Sequence, residues 1–439
     1  MPTTIPANDP AAGVLITICF VGVVLIFAVR RLGWVRPGFS MVGKALLVAF
    51  VIRLLAIVAI NATGIGASLR GGDENTFLDF AQTLAAQPLG HGDFPHGIYQ
   101  LQTVLFALQI KLGFINETGI RVTQTGISLL AYVFMLAVTY DLGGPRASRV
   151  AAWCLAFEPS SIFFNTEIHK EALMELAAAL VAFGGVWIWK RLDIRGILIC
   201  ALGCLIGIET RSYAGWFLAA ACVLLILHAS LRTTARKGTA VALIYAILIA
   251  AFVAAPTLLA ATSGKNLKRL QDSTTANATG AGQGGTGAAN GSNLALEAVN
   301  VSSRSAVISS LPTKIRELLL EPYPWQLHDS SEAFGAIGTL VAYLVLVLLI
   351  RYAWVSRGDI FGRAGPLLYP LLFELVAYAV TVGNAGTGFR YRSHLVTLGI
   401  CATAVLWARV SGRVRPESNA PSEPDEQHPS RVSLEPVIA

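Results

Sequence analysis

Charge is scarce in this sequence: Lys, Arg, Asp and Glu make up 13% of its 439 residues, while 54% are hydrophobic. A soluble domain carries roughly 25% charged residues, so the deficit excludes a water-soluble globular protein and indicates a polytopic membrane protein. Cysteine is sparse as well. The six that occur, Cys19, Cys154, Cys200, Cys204, Cys222 and Cys401, all fall inside apolar segments. There they read as small buried hydrophobes, not as a disulfide framework or a metal site. The opening "MPTTIPANDPAAG" lacks a positive n-region, and the apolar run that follows ends in Arg30 and Arg31, the reverse of signal-peptide polarity. A retained first span with its N-terminus outside is expected. No internal repeat of the kind found in transporters is visible.

What the chain does contain is a series of apolar runs, at about 12–29, 42–62, 119–140, 150–164, 172–189, 196–208, 214–228, 240–262, 334–350, 367–382 and 394–408. Several fall short of the ~20 residues of a straight span. The formal net charge of +7 resides in short basic clusters between these runs, a pattern that excludes nucleic acid as partner. With the N-terminus outside, the clusters at Arg30/Arg31/Arg36/Lys44, Arg146/Arg149, Lys190/Arg191/Arg195, Arg232/Arg236/Lys237, Arg351/Arg357/Arg363 and Arg409/Arg413/Arg415 all face the cytoplasm, as the positive-inside rule requires. The expected architecture is an all-α polytopic membrane protein of about 11 transmembrane helices.

That threading holds only if 98–112 does not cross. Leu101, Val104, Leu105, Leu108 and Leu112 form an apolar stripe at helical spacing, with Gln102 and Gln109 opposite. This is an amphipathic helix lying in the interface. Residues 75–86 read the same way, with Phe77, Phe80, Ala81 and Leu84 on one side. The outer loop 63–118 therefore consists of two juxtamembrane helices joined by "QPLGHGDFPHGIY". A second outer loop, 263–333, contains "STTANATGAGQGGTGAANGSN" and is expected to be flexible. The tail 415–439 is polar and proline-rich and is expected to be disordered in the cytoplasm.

The stretch "GGDENTFLDF" opens the first outer loop. Asp73 reads as an N-cap for the helix that follows. It reads equally as a functional carboxylate, because capping does not account for the adjacent Glu74 or for Gly71 and Gly72 before it. Cations on the same side are Lys170, Arg211, Lys265, Lys268, Arg269, Arg390 and Arg392; in "NAGTGFRYRSH" the last two bracket Tyr391. Guanidinium groups there could hold phosphate oxygens bidentately, and binding of ordinary lipid headgroups is the plainer alternative. Arg211 and Lys170 could equally pair with Glu209 and Glu171. Arg53, inside the second run, would cost ~2.5–3.5 kcal/mol unpaired, so it should face the bundle interior, paired with Glu158 or Glu175. His91 and His96 in "HGDFPH" lack the spacing of a helical zinc pair; no metal is expected, with a divalent ion the minority reading.

The order "GGDENTFLDFAQTLA", "FPHGIY" and "GIRVTQTGISLLAYVFMLAVTYDLGGPRASRVAAWCLAFEPSSIFFNTEIHKEALMELAAAL" resembles the GT-C membrane glycosyltransferases that use polyprenyl-phosphate sugars. That superfamily includes protein O-mannosyltransferases and lipid A aminoarabinose transferases. The likeness spans roughly the first half of the chain; "RSYAGWF", "EPYPWQ" and "GFRYRSHL" extend it more weakly. It implies a GT-C-like bundle over 1–414, with 63–118 as the catalytic outer loop. It also implies an inverting glycosyltransferase with Asp73 as catalytic base and Glu74 beside it. His96, Lys170, Arg211, Arg390 and Arg392 would contact substrate. The partners implied are a polyprenyl-phosphate-linked sugar, an outer-face glycan, lipid or protein acceptor, and membrane lipids. The location implied is a bacterial inner membrane with the site on its extracytoplasmic side, for polysaccharide biosynthesis in the cell envelope. A polysaccharide polymerase or ligase acting on lipid diphosphate-linked oligosaccharide, a transporter or flippase, and a structural scaffold are the alternatives.

Overall fold

The computed structural model describes residues 10–64, 73–88, 100–113, 116–232, 304–321, 323, 325, 330–357, 360–382 and 385–412. Every regular element among them is helical. In chain order these are α1 (Pro10–Gly33), α2 (Val42–Thr63), α3 (Asp73–Ala86), α4 (Gln100–Lys111), α5 (Glu117–Ala156), α6 (Pro159–Phe164) and α7 (Glu171–Arg191). They continue with α8 (Ile194–Thr210), α9 (Ser212–Arg232), α10 (Arg304–Leu320), α11 (Ser330–Val355), α12 (Ile360–Thr381) and α13 (Ala385–Val410). A short 3-10 turn, Phe39–Met41, links α1 to α2. Within the outer loop expected over 263–333, α10 is a regular 17-residue helix. The expected span 240–262, the segment "HGDFPH" with His91 and His96, Lys265, Lys268, Arg269 and the tail 415–439 lie outside the described residues.

Eight of the described helices are long and apolar enough to cross a membrane. The chain is thus an all-α integral membrane protein, with eight such helices among the described residues where about eleven are expected. Of the other three, 240–262 lies outside the described residues. A second, 196–208, falls on α8, which has only 17 residues. The third, 150–164, is interrupted for a reason visible in α5.

That helix breaks at Gly144, where φ is 81° and ψ 178°, a conformation essentially closed to residues with a Cβ. Ser148 Oγ donates to the Leu136 carbonyl at 2.9 Å. Twelve residues of straight helix would separate them by about 18 Å, so the chain folds back at Gly144 into two arms. Pro145, which has no N–H to satisfy, starts the return. The returning arm ends at Ala156, and the chain resumes in α6 after Glu158, whose carboxylate accepts the N–H groups of Ser160 and Ser161 as a helix cap.

One end of the bundle gathers the start of α3, the start of α5, the α6–α7 loop, the α8–α9 corner and the start of α13. The opposite end gathers Arg30, Arg31, Arg36, Arg146, Arg149, Lys190, Arg191, Arg195, Arg232, Arg351, Arg357 and Arg409. There Arg36 pairs with Asp141 at 2.5 Å. Close packing of α7 on α8 depends on missing side chains: a Cβ at Gly184 would lie 2.4 Å from the Gly196 carbonyl oxygen. Small residues of this kind let helix backbones approach in a membrane.

The juxtamembrane pair forms as expected, but α4 buries its polar side. Gln102, Phe106, Gln109 and Ile110 are buried, whereas Leu108 and Leu112 are exposed. Gln109 accepts a hydrogen bond from Thr123 at 2.9 Å. The leucine stripe therefore points away from the protein, as suits a helix bathed in lipid on that side. Phe77 and Ala81 of α3 pack with Phe106 and Ile110 of α4, and with Ile120 and Ile168, in a small apolar cluster separate from the main core.

Candidate functional site

The end of the bundle opposite the basic clusters contains a buried polar centre, and Glu74 lies within it. Asp73 is the first residue of α3, so the helix begins two residues before the expected start and carries the acidic pair in its first turn. Negative charge there complements the helix dipole. Glu74 is buried and held twice. Its Oε2 takes Arg121 Nη2 at 3.0 Å, and its Oε1 accepts the Ile168 N–H at 2.8 Å. Burial works to raise the Glu74 carboxyl, but His169, Arg121 and the Ile168 N–H together hold it below the usual glutamate range. It therefore serves as a clamp between α3, α5 and the α6–α7 loop.

Arg121 is the hub of this clamp. Besides Glu74 it meets Glu117 at 2.6 Å and Glu167 at 3.9 Å, and it donates to the Thr166 carbonyl at 3.4 Å. Gln124 fixes the same loop through the His169 carbonyl at 2.8 Å. Glu74, Glu167 and His169 each bring one ligand atom within 4.8 Å of the others, a donor set suited to a divalent ion. Arg121 already supplies positive charge against both carboxylates, so the set fits a metal poorly. Neither Arg121 nor Glu167 is singled out by the sequence reading; a lone Arg in the first turns of an apolar run was the available signal.

Lys170 sits at the N-cap of α7, with Nζ 5.7 Å above the Phe77 ring of α3. Arg211 is at the α8–α9 corner and is buried. It pairs with Glu171 at 2.5 Å across the helices, not with its neighbour Glu209, and its guanidinium lies 4.7 Å over Tyr391. Tyr391 exchanges a 2.6 Å hydroxyl contact with Tyr213 and stacks on Tyr378 at 4.4 Å. Tyr378 in turn meets His394 Nδ1 at 2.9 Å. Arg390 is half-buried, and its charge acts on Glu171.

Arg392 is fully committed within the fold. Its Nε donates to the Leu318 carbonyl at 2.9 Å, Nη1 to Thr339 Oγ1 at 2.6 Å and Nη2 to the Glu321 carbonyl. These contacts tie α13 to α10 and α11. His96 and the side chain of Asp73 lie outside the described residues.

Deeper in the bundle, Arg53 is fully buried, but among the described residues no carboxylate lies in ion-pair range of it. It donates to Tyr132 Oη at 3.1 Å, Ser161 Oγ at 2.8 Å and its own helix at Ala49 O, 3.2 Å. Glu175 is instead held by Ser128 at 2.7 Å, Asn165 at 2.9 Å and Thr397 at 2.7 Å. Hydroxyls and an amide thus take the place of the expected ion pair, a lower desolvation cost than burying two charges together. An apolar cavity of about 400 Å³ opens beside this layer, with Phe157, Leu344, Leu348 and Trp407 in its wall and Glu158 also lining it.

Comparisons of the chain with protein-family models, with curated proteins and with solved structures find no match.

Proposed function

We propose that this protein is a membrane glycosyltransferase that moves a sugar from a polyprenyl-phosphate carrier to an acceptor hydroxyl, with Asp73 as the base. The observation that carries this reading is the anchoring of Glu74. With its carboxylate fixed by Arg121 and the Ile168 amide, the first turn of α3 is pinned beside the loop bearing Lys170. Asp73 opens that turn. A base needs such positioning, because proton transfer depends on geometry before pKa.

The chemistry needs few groups. As the acceptor oxygen bonds to the anomeric carbon, its proton passes to the Asp73 carboxylate. The bond from that carbon to the phosphate oxygen breaks, and the electron pair leaves on the lipid phosphate. No general acid is required, since phosphate departs as a stable anion, and a single displacement inverts the sugar carbon. Lys170 and Arg390 are the cations assigned to that phosphate. The apolar cavity lined by Phe157, Leu344, Leu348 and Trp407 suits the isoprenoid chain. An extracytoplasmic site at the end remote from the basic clusters follows from the positive-inside rule.

Asp73→Asn is expected to abolish transfer from a labelled polyprenyl-phosphate sugar in detergent or proteoliposomes, with the melting transition within a few degrees of the parent. Full activity in that variant would sink the assignment. The transporter reading draws on the buried Glu175 and Glu374 within spans; it requires substrate movement across proteoliposomes without any glycosylated product.

A further inference from the structure

Behind the Lys170 side of the site lies a group of buried side chains whose hydrogen-bonding capacity is not used up. Glu374 of α12 is completely buried, and neither of its carboxylate oxygens has a hydrogen-bond partner. Glu171 Oε2, Arg211 Nη1 and His394 Nε2 are likewise buried without one. The four side chains come from different parts of the chain: the start of α7, the α8–α9 corner, α12 and α13.

They are linked through the tyrosines. Glu374 and Tyr378 lie one turn apart on the same face of α12. Tyr378 bonds His394 and stacks on Tyr391, the ring beneath Arg211. The charge of Arg211 acts on both Glu374 and His394. An unsatisfied buried polar group costs about 1–3 kcal/mol, and a buried carboxylate more. Five such atoms around one aromatic stack are a standing cost that a ligand would remove.

Their chemistry narrows the ligand. The Glu171 oxygen accepts, the guanidinium nitrogen donates, and the Glu374 carboxyl and the imidazole nitrogen do either according to where their protons sit. The one guanidinium is already paired with Glu171, which leaves no net positive charge for a phosphate. An organic cation would meet Arg211. A polyhydroxylated ring fits, because each hydroxyl both donates and accepts, and its C–H face packs on tyrosine.

We propose that Glu374, Glu171, Arg211 and His394 form the subsite for the transferred sugar, gripping its hydroxyls while the phosphate stays with Lys170 and Arg390. This rests on the glycosyltransferase reading and deepens it. Glu171 follows Lys170, whose Nζ lies over Phe77, one turn along α3 from Asp73.

The test measures binding of short-chain donors, citronellyl phosphate linked to glucose, mannose, galactose or arabinose, by calorimetry on the purified full-length protein. Citronellyl phosphate without a sugar is the control. Glu374→Gln, nearly isosteric, is expected to weaken the best sugar-linked compound about tenfold, the loss of one hydrogen bond. Binding of bare citronellyl phosphate should stay within about twofold. His394→Gln should behave alike, as a second variant should the first fold poorly. Equal binding of the sugar-linked compound by parent and both variants overturns the subsite while leaving the transferase reading intact. So does an equal loss for both ligands. Failure of the parent to bind any of the compounds overturns both.

Discussion

Asp73 and Glu74 are chemically alike and adjacent, yet the fold separates their tasks. Glu74 is spent on Arg121 and a backbone amide, so it cannot also take a proton from an acceptor. The division has a pH signature. The folded-state pKa of Glu74 lies below the ordinary glutamate value of 4.5, so its contribution to stability is full above that value. It fades as pH falls through the lowered one. Glu74→Gln should cost about 1–3 kcal/mol at neutral pH. Its melting temperature should also fall less steeply than the parent's on acidification from pH 5 downwards, as differential scanning fluorimetry in detergent would read. Arg392 makes the complementary case. A lysine cannot reach the Leu318 and Glu321 carbonyls and the Thr339 hydroxyl at once, so Arg392→Lys should lower stability by about 1–3 kcal/mol. Donor affinity of the molecules that remain folded should not change, a result calorimetry on a stability-matched sample would give.

Among the elements, α5 shows how one position decides topology. A straight 40-residue helix would be about 60 Å long, twice the ~30 Å of a bilayer core. The reversal at Gly144 brings Ser161 and Asn165 back beside Ser128 and Tyr132, which is what builds the polar layer around Arg53 and Glu175. Gly144→Ala should destabilise the protein by about 1–3 kcal/mol, the cost of holding a side chain in that backbone region. Glu158→Ala removes the cap of α6 and should cost about 0.5–2 kcal/mol. Chemical denaturation followed by tryptophan fluorescence checks both. A Gly144→Ala protein as stable as the parent would mean that the turn is not strained there.

For the whole molecule, the two ends of the bundle carry opposite characters: arginines and lysines at one, a carboxylate-rich polar centre at the other. Sidedness follows and can be measured. In a background lacking native cysteines, Asn61→Cys, exposed at the Glu74 end, should react with a membrane-impermeant maleimide on intact spheroplasts. Ser411→Cys, exposed at the basic end, should react only after permeabilisation. The reverse pattern would put the proposed site in the cytoplasm and remove the polyprenyl-phosphate reading with it.

Membrane residence, helical class and the two juxtamembrane helices were legible from residue order alone, with the start of α3 placed two residues late. Periodicity and the distribution of charge act over neighbouring residues, and they do not depend on what packs against them. The number of spans was less legible, because a 17-residue run and a run broken by a cap read alike in composition. The partners of Arg53, Arg211 and Arg392 were not legible at all. Each is contributed by a helix distant in sequence, and a buried guanidinium accepts hydroxyls, carbonyls or carboxylates according to which one packing delivers. The polar hub on Arg121 and the buried Glu374 belong to that class as well. Sequence fixes which charges enter the membrane, and only tertiary packing decides what neutralises them, because burial makes the choice of partner a matter of a few ångströms.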